Sequence, residues 1–402
     1  MTFDSRPSFD GLLAETRSIL QEEFAQENRD AIERLLPSCI EDPLFLHQRS
    51  SWKPRFVVWE LTLRCNMRCA HCGSDAGTRR GEELNEEEVL SLSAQLGALG
   101  CERLTLLGGE PFIREDWEAI TKALQDASVK VNVITNGWLT ADRDFVQRVK
   151  DAGLRTLALS VDGFGKKHDE IRRKEGSFDR IIRSFEHANS IGDLPIAAVT
   201  TVTKMCIDDL DEMYRMLLDN GVRLWQMQVV TPLGRLDRSD PILPTSEDLL
   251  RLDAFIAEKQ AEGKLRIDPA DNVGYFGKRE LAKGYRSNVL GASADYWMGC
   301  QAGFQVMGIE ANGDIKGCLS LSSDKKYIEG NVKEESLEEI WWKPGAFSYN
   351  RDFKLDMLSG FCAECRYRGL CRGGCVSNNE GYTGNRGECA TCTYMIEETG
   401  SV

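Results

Sequence analysis

Three cysteines fall within eight residues, Cys65-Asn66-Met67-Arg68-Cys69-Ala70-His71-Cys72, in a C-x3-C-x2-C pattern. Thiolate is the soft ligand that iron–sulfur clusters use, and a loop with this spacing can wrap three corners of a cubane-type cluster. Three ligands leave one iron open to a substrate or cofactor. A structural zinc site would want four ligands, and no fourth cysteine lies nearby in the chain. A second thiol-rich region crowds the last quarter: Cys300-x12-Gly313-x4-Cys318, then Cys362-x2-Cys365-x5-Cys371-x3-Cys375, then Cys389 and Cys392. Zinc is the competitor there too, but zinc ribbons usually repeat a two-by-two knuckle and this spacing does not. Cys39, Cys101 and Cys206 stand alone and read as buried apolar residues.

Loops of this kind need a scaffold, and the chain from residue 55 supplies one. Short apolar runs at 56–59, 104–107, 131–134, 157–161, 197–202 and 225–230 alternate with helical patterns at 85–99, 116–127, 142–152, 169–191 and 207–220. Six strands alternating with five helices predict an α/β fold, a parallel layer or incomplete barrel, whose ligand site lies at the carboxyl ends of the strands. The polar motifs fall at those ends. The three-cysteine loop follows the first run, Gly108-Gly109-Glu110-Pro111 the second and Thr135-Asn136-Gly137 the third, and Ser160-Val161-Asp162-Gly163 closes the fourth. Residues 8–36 carry apolar positions at helical spacing, ended by Pro37 and Pro43, and read as amphipathic helices packed on the main domain. These signals divide the chain into an N-terminal helical segment (1–53), the α/β unit (54–235), a helical bridging region (236–298) and a cysteine-rich unit (299–402).

Composition narrows the setting. The 402 residues include 42% hydrophobic ones and a formal charge of −14, which excludes disorder and a miniature disulfide scaffold. An excess of acid argues against nucleic acid as the main partner, because phosphate affinity comes largely from Lys and Arg. The N-terminus lacks an apolar signal-peptide core, and no run approaches the length of a membrane span. A cytoplasmic, reducing setting is therefore expected, in which clustered thiols hold metal or do redox chemistry.

With these residues together, the chain resembles the radical S-adenosylmethionine (radical SAM) enzyme superfamily, whose hallmark is C-x3-C-x-Φ-C with an aromatic at Φ, here His71. The resemblance implies a partial (β/α)6 TIM-like barrel and a [4Fe-4S] cluster on Cys65, Cys69 and Cys72. It also implies S-adenosylmethionine chelated to the open iron and cleaved to a 5′-deoxyadenosyl radical. Gly108, Gly109, Glu110 and Pro111 resemble the family's GGEP motif, in which the carboxylate holds the methionine ammonium. Ser160 and Asp162 match positions that bind ribose hydroxyls or the cofactor carboxylate, and Asn136 matches another strand-end contact. Adenine contacts are implied near Val229 and Val230, while the role of Arg172 stays open. The later cysteines resemble the family's SPASM extension, a C-terminal domain with two auxiliary [4Fe-4S] clusters. Carried over, Cys300, Cys318 and Cys375 hold the nearer cluster, and Cys362, Cys365 and Cys371 the farther one. Cys392 or Cys389 closes the farther cluster, Cys392 being favoured because a helical Thr393-Tyr394-Met395-Ile396 follows it. Family members often have another cysteine just upstream of the first position; here the preceding residues are Tyr296-Trp297-Met298-Gly299, which leaves the nearer cluster three thiolates unless Cys389 reaches it.

Relatives of this kind imply oxidation or cross-linking of a residue in a ribosomally made precursor peptide, with an electron from a flavodoxin or ferredoxin. The N-terminal segment is too short and strand-poor for the usual winged-helix recognition element, so a separate recognition protein or direct binding of the peptide to the barrel is expected. Sulfatase-maturating relatives carry an Asp after the cysteine matching Cys318, where this chain has Leu319. A sugar or other small-molecule dehydrogenase is the alternative within the class. An epimerase would need a hydrogen donor, for which Cys206 at the end of the fifth strand is the candidate. Outside the class, the alternative is a zinc-stabilised interaction module.

Overall fold

All six apolar runs form strands, and their alternation with amphipathic helices closes them into a parallel layer. The computed structural model describes residues 52–283, 297 and 299–400. The expected helices at 8–36 and the isolated Cys39 lie outside the described residues. In chain order the first elements are β1 (Phe56–Thr62), α1 (Glu86–Ala98), β2 (Arg103–Gly108), α2 (Trp117–Asp126), β3 (Lys130–Thr135), α3 (Arg143–Asp151) and β4 (Thr156–Ser160). They are followed by α4 (Lys166–Arg172), α5 (Ser177–Ile191), β5 (Ile196–Val202), α6 (Leu210–Asp219) and β6 (Leu224–Val229). Strands β1 to β6 lie side by side in sequence order, each parallel to the next, so all their carboxyl ends share one rim.

Local chemistry sets the helix limits. Asn85 and Glu88 exchange side-chain and backbone bonds in a capping box that starts α1, and the Asp142 carboxylate caps α3 through Phe145 N–H. The stretch expected as one helix over 169–191 is two. Arg173 and Gly176 take positive φ (50° and 75°), and the Asp169 carboxylate accepts the N–H groups of Gly176 (2.7 Å) and Phe178 (2.8 Å), so α5 restarts on a side chain of α4. Inside, Trp59, Leu61, Leu106, Val133, Leu159, Ala198 and Met227 form one continuous core with the helix faces, each at 1% exposure or less. Along β2, β3 and β6 buried residues alternate with half-buried ones, so one face of these strands packs into the core and the other is only partly covered, while β4 and β5 are buried nearly throughout.

The sheet does not stop at six strands. The bridging region, expected to be helical, contains α7 (Ser246–Glu262) and then β7 (Arg266–Pro269), which pairs parallel with β6. Arg266-Ile267-Asp268-Pro269 has neither a β-branched run nor clean alternation, and a Pro at the end of an edge strand is tolerated, so its pattern does not announce a strand. A short helix α8 (Lys278–Lys283) follows. On the opposite edge, β8 (Val306–Ile309) pairs parallel with β1, and β9 (Asp314–Lys316) and β10 (Gly330–Asn331) continue antiparallel. The cysteine-rich unit thus grows out of the same ten-stranded sheet. Helices α9 (Leu337–Trp342), α10 (Val376–Thr383) and α11 (Thr393–Thr399) belong to it.

The seam between β1 and β8–β9 is held by buried charge. Glu60 of β1 pairs with Arg80 (2.8 Å), Arg80 with Glu310 (3.2 Å), and Glu310 with Lys316 of β9 (2.7 Å). Lys316 Nζ also donates to the carbonyls of Leu319 and Leu321, and the N–H of Ala311 to Glu60. Buried ions are tolerated only when each has its counter-charge, and removing one partner of such a pair costs about 3–5 kcal/mol. Lys316→Met should therefore lower unfolding stability by about 3 kcal/mol, and adding Glu310→Gln should restore part of it. Denaturant or thermal unfolding reads both; a double variant no better than the single one contradicts the charge-pair account.

Candidate functional site

The three-cysteine loop leaves β1 at Thr62 and is pinned at several strand ends. Gly77 N–H donates to Leu63 C=O (2.9 Å) and Ala76 N–H to the Cys72 sulfur (3.3 Å), folding the loop back on itself. Beyond β3, Asn136 Nδ2 bonds Asn66 Oδ1 (2.7 Å) and points at the Cys65 sulfur (3.9 Å). From α4, Ile171 C=O accepts Ala70 N–H (2.7 Å), and the Arg172 guanidinium lies 3.8 Å from the Cys69 sulfur. Beyond β6, Arg235 donates to the carbonyls of Cys69 (2.9 Å) and Ala76 and pairs with Asp75 (2.7 Å). Gly234 beside it has φ +64°, and a Cβ there would stand 2.3 Å from Cys72 C=O, so only glycine lets this strand end meet the loop. Burial pushes Cys65 up to about 11 and Cys69 also upward, and the neighbouring thiols add to the rise, Cys69 and Cys72 at Cys65 and Cys72 at Cys69. A cation at the centre of the loop would reverse that balance and hold the thiols as thiolates.

The motif at the end of β2 acts first on the protein itself. A Cβ on Gly108 would sit 2.3 Å from Thr62 C=O, and one on Gly109 2.1 Å from Arg64 C=O, so both glycines let β2 close on the root of the cysteine loop. Glu110 is wholly enclosed and accepts bonds from Thr135 Oγ1 (2.7 Å), Asn136 N–H (2.9 Å) and Phe112 N–H (3.3 Å), while Pro111 opens a single 3-10 turn. Burial raises its carboxyl to about 7 against those bonds. A carboxylate has room for about four acceptances, so one position remains.

Asp162 is likewise enclosed and already engaged. It lies 2.9 Å from His71 Nε2 and 2.5 Å from Arg172, and accepts Thr201 N–H at 2.8 Å. Burial would raise its pKa, but Arg172 and then His71 outweigh it and hold the carboxyl well below the usual range. His168, noted near a strand end, is buried beneath this group, with Nδ1 accepting Asp162 N–H (3.2 Å) and Nε2 facing Ser177 (3.2 Å). Ser160 is half-buried on the same rim. Three buried atoms of the cluster have no hydrogen-bond partner: His71 Nδ1, Arg172 Nε and Asp162 Oδ2, the last of them held by its ion pairs. Orphaned polar atoms at a rim of enclosed charges fit a polar cofactor there. The backbone implied for adenine is occupied: Asn272 bonds both N–H and C=O of Val229 (3.1 and 2.6 Å), and Tyr382 Oη donates to Val230 C=O (2.8 Å). Cys206 is fully buried, with its sulfur on the backbone of Thr203 and its pKa pushed up to about 12 by burial, so it does not reach the rim as a hydrogen donor.

The later cysteines divide into two groups. Cys300, Cys318 and Cys375 share one electrostatic environment, each raised by burial and Cys375 also by the other two. Cys362, Cys365, Cys371, Cys389 and Cys392 all line one pocket, walled by Tyr275, Phe276, Tyr367 and Tyr394. Cys389 therefore does not reach the first group, and the choice between Cys389 and Cys392 dissolves into five thiols about one space. Cys389 N–H donates to the Cys362 sulfur (3.4 Å), and Cys392 caps α11 through Met395 N–H (3.5 Å). Among the described residues no three His, Cys, Asp or Glu side chains converge to hold a single ion, and no helix is long and apolar enough to cross a membrane. Arg235, which follows β6 and ties the loop down, carried no motif or spacing signal; only the structure identifies it.

Comparison with known proteins matches residues 59–225 to the radical SAM superfamily and residues 300–366 to the SPASM iron–sulfur cluster-binding domain, together more than half of the chain. An AdoMet-dependent heme synthase of Methanosarcina barkeri is 29% identical over 86% of this chain and 95% of its own length. The PqqA peptide cyclase of Rhizobium meliloti is 28% identical over 80% and 82%. The structure of Streptococcus suis SuiB bound to precursor peptide SuiA shares the fold, with TM-score 0.66 at 18% identity over 91% of this chain and 80% of that one.

Five thiols around a site for four make the last two interchangeable. Cys389→Ala or Cys392→Ala alone should leave the iron content of anaerobically reconstituted protein near its full value of about twelve, and both together should remove about four irons. A four-iron loss from one single variant and none from the other would assign the ligand and end the interchange.

Proposed function

The chain belongs to the radical SAM superfamily and carries its SPASM iron–sulfur domain, and from that premise we propose that it oxidises a residue of a ribosomally made peptide. The observation that carries this reading is the loop of Cys65, Cys69 and Cys72 at the mouth of the barrel, backed by two further thiol groups in the unit that extends the same sheet. When bound, the reduced cluster and S-adenosylmethionine supply a 5′-deoxyadenosyl radical that takes a hydrogen atom, and the auxiliary clusters supply an acceptor for a second electron. The protein's own part is placement. Cys65, Cys69 and Cys72 would hold the first cluster, leaving one iron for the cofactor's amino and carboxylate groups. Glu110, fixed by Thr135 and Asn136, would offer its remaining acceptor position to an N–H of the cofactor's amino group, with Gly108, Gly109 and Pro111 shaping that turn. Asn136 would hold the loop in register, Ser160 would face the ribose, and Asp162 would act by keeping His71 and Arg172 aimed at the cofactor. Cys300, Cys318 and Cys375 would serve the nearer auxiliary cluster, and the five-thiol void the farther one. A flavodoxin or ferredoxin would deliver the first electron.

A peptide substrate is supported by likeness to the PqqA peptide cyclase. A second reading is favoured by the M. barkeri heme synthase, matched over nearly its whole length: a tetrapyrrole substrate, which is the small-molecule alternative in specific form. One experiment separates them. Reduced holoenzyme with S-adenosylmethionine is offered either a short peptide encoded beside its gene or iron coproporphyrin, and products are weighed. A loss of about 2 Da on the peptide, the mass of two hydrogens, is the expected result; an unchanged peptide with a lighter porphyrin would overturn the peptide reading.

The raised Glu110 carboxyl gives a pH signature. Below about 7 the side chain is protonated and neutral, and above it the carboxylate attracts a cation. Affinity for S-adenosylmethionine should thus tighten as pH rises through about 7, and Glu110→Gln should bind more weakly and lose that pH dependence. Calorimetry across pH 6 to 8 checks it, and an identical slope in the variant contradicts the role given to Glu110.

A further inference from the structure

The nearer auxiliary group has three thiols, and the structure places no fourth beside them among the described residues, because Cys389 stands in the other void. A carboxylate comes to the same place from the barrel. Asp271 stands two residues beyond the end of β7, at the carboxyl rim of the sheet. Its backbone is tied into the thiol group by a relay: Tyr275 Oη donates to Asp271 C=O (2.6 Å) and accepts the N–H of Cys375 (3.0 Å). The Tyr275 ring lies 2.6 Å from where a Cβ on Gly374 would stand, so the residue before Cys375 must be glycine for the relay to form. The neighbouring Asn272 fixes the turn on the end of β6 by bonding both backbone groups of Val229. The Asp271 side chain is exposed at this rim rather than packed into the core. The Tyr275 relay thus brings Asp271 beside the segment that carries Cys375, and its charge reaches Cys300, Cys318 and Cys375 alike.

We propose that the Asp271 carboxylate is the fourth protein group of the nearer auxiliary cluster, facing the iron that Cys300, Cys318 and Cys375 leave uncovered. The inference rests on the reading of those cysteines as cluster ligands. A carboxylate oxygen is a harder donor than thiolate and holds iron less firmly. The iron is thus covered at rest, and a donor atom of the substrate can displace the carboxylate without a thiolate being lost.

The test uses the full chain with Cys65, Cys69 and Cys72 changed to Ala, so that only auxiliary clusters report. Reduced protein is titrated with ¹³C-cyanide and followed by electron paramagnetic resonance and electron–nuclear double resonance. With Asp271 intact, ¹³C coupling is expected only at a large excess of cyanide, because the carboxylate must be displaced. Asp271→Ala and Asp271→Asn should show it at cyanide concentrations at least about tenfold lower, and Asp271→Cys should suppress it while shifting the cluster potential downward. The same cyanide dependence with Asp271 intact and in both the Ala and Asn variants, or no coupling in those variants at any concentration, overturns the proposal. Iron analysis of a Cys300→Ala variant keeps the two readings apart: if about four irons are not lost, the cluster assignment itself fails, whereas a normal loss with silent Asp271 variants removes Asp271 alone.

Discussion

The ionised carboxylate of Asp162 lies inside the protein, and the arrangement of the cysteine loop follows from that. A buried charge without partners costs several kcal/mol, so it must be surrounded by cations and donors. Here they are Arg172, His71 and the N–H of Thr201. Two of these partners also belong to the thiol site. His71 is part of the loop, and Arg172 reaches the Cys69 sulfur. One enclosed charge thereby joins β4, α4, β5 and the loop after β1. Were it neutralised, Arg172 and His71 would lose the reason to point inward, and the loop would be left to Arg235, Asn136 and backbone bonds such as that from Ala70 to Ile171.

A similar economy appears at the seam of the sheet. The cysteine-rich unit is joined to the barrel by β8 on β1 and by the Glu60–Arg80–Glu310–Lys316 chain, in which Arg80 comes from the far side of the cysteine loop. The rim that carries the first thiol group is thus rigidly related to the nearer auxiliary group. Electron exchange between clusters needs fixed separations, and a continuous sheet provides them better than a linker would.

Much of this was legible in the sequence, and the exceptions have physical reasons. Strands β1 to β6 announced themselves because each is a short segment rich in apolar and β-branched residues set between helical patterns. The thiol spacing and the strand-end motifs are local, so they survive as one-dimensional patterns. β7 escaped because an edge strand ending in Pro needs no such run, and the α4–α5 break because its cause is a cap from Asp169. The partners of Asp162 lie up to about ninety residues away, and nothing in Ser160-Val161-Asp162 says that its carboxylate faces inward. The convergence of Cys389 and Cys392 on one void was equally invisible, since spacing alone cannot tell which thiol turns toward which space. The glycines of the Gly-Gly-Glu-Pro turn permit a close approach by the backbone of β1 and its loop, which the motif alone does not reveal.

The account stands on the loop of Cys65, Cys69 and Cys72 as the place where the radical is made. The most direct measurement is 5′-deoxyadenosine formed by reduced protein and S-adenosylmethionine under strict anaerobiosis, with and without those three cysteines. The account predicts steady accumulation from the intact protein and none from the variant with all three changed to Ala, even with its auxiliary clusters loaded; accumulation that persists in that variant would contradict it.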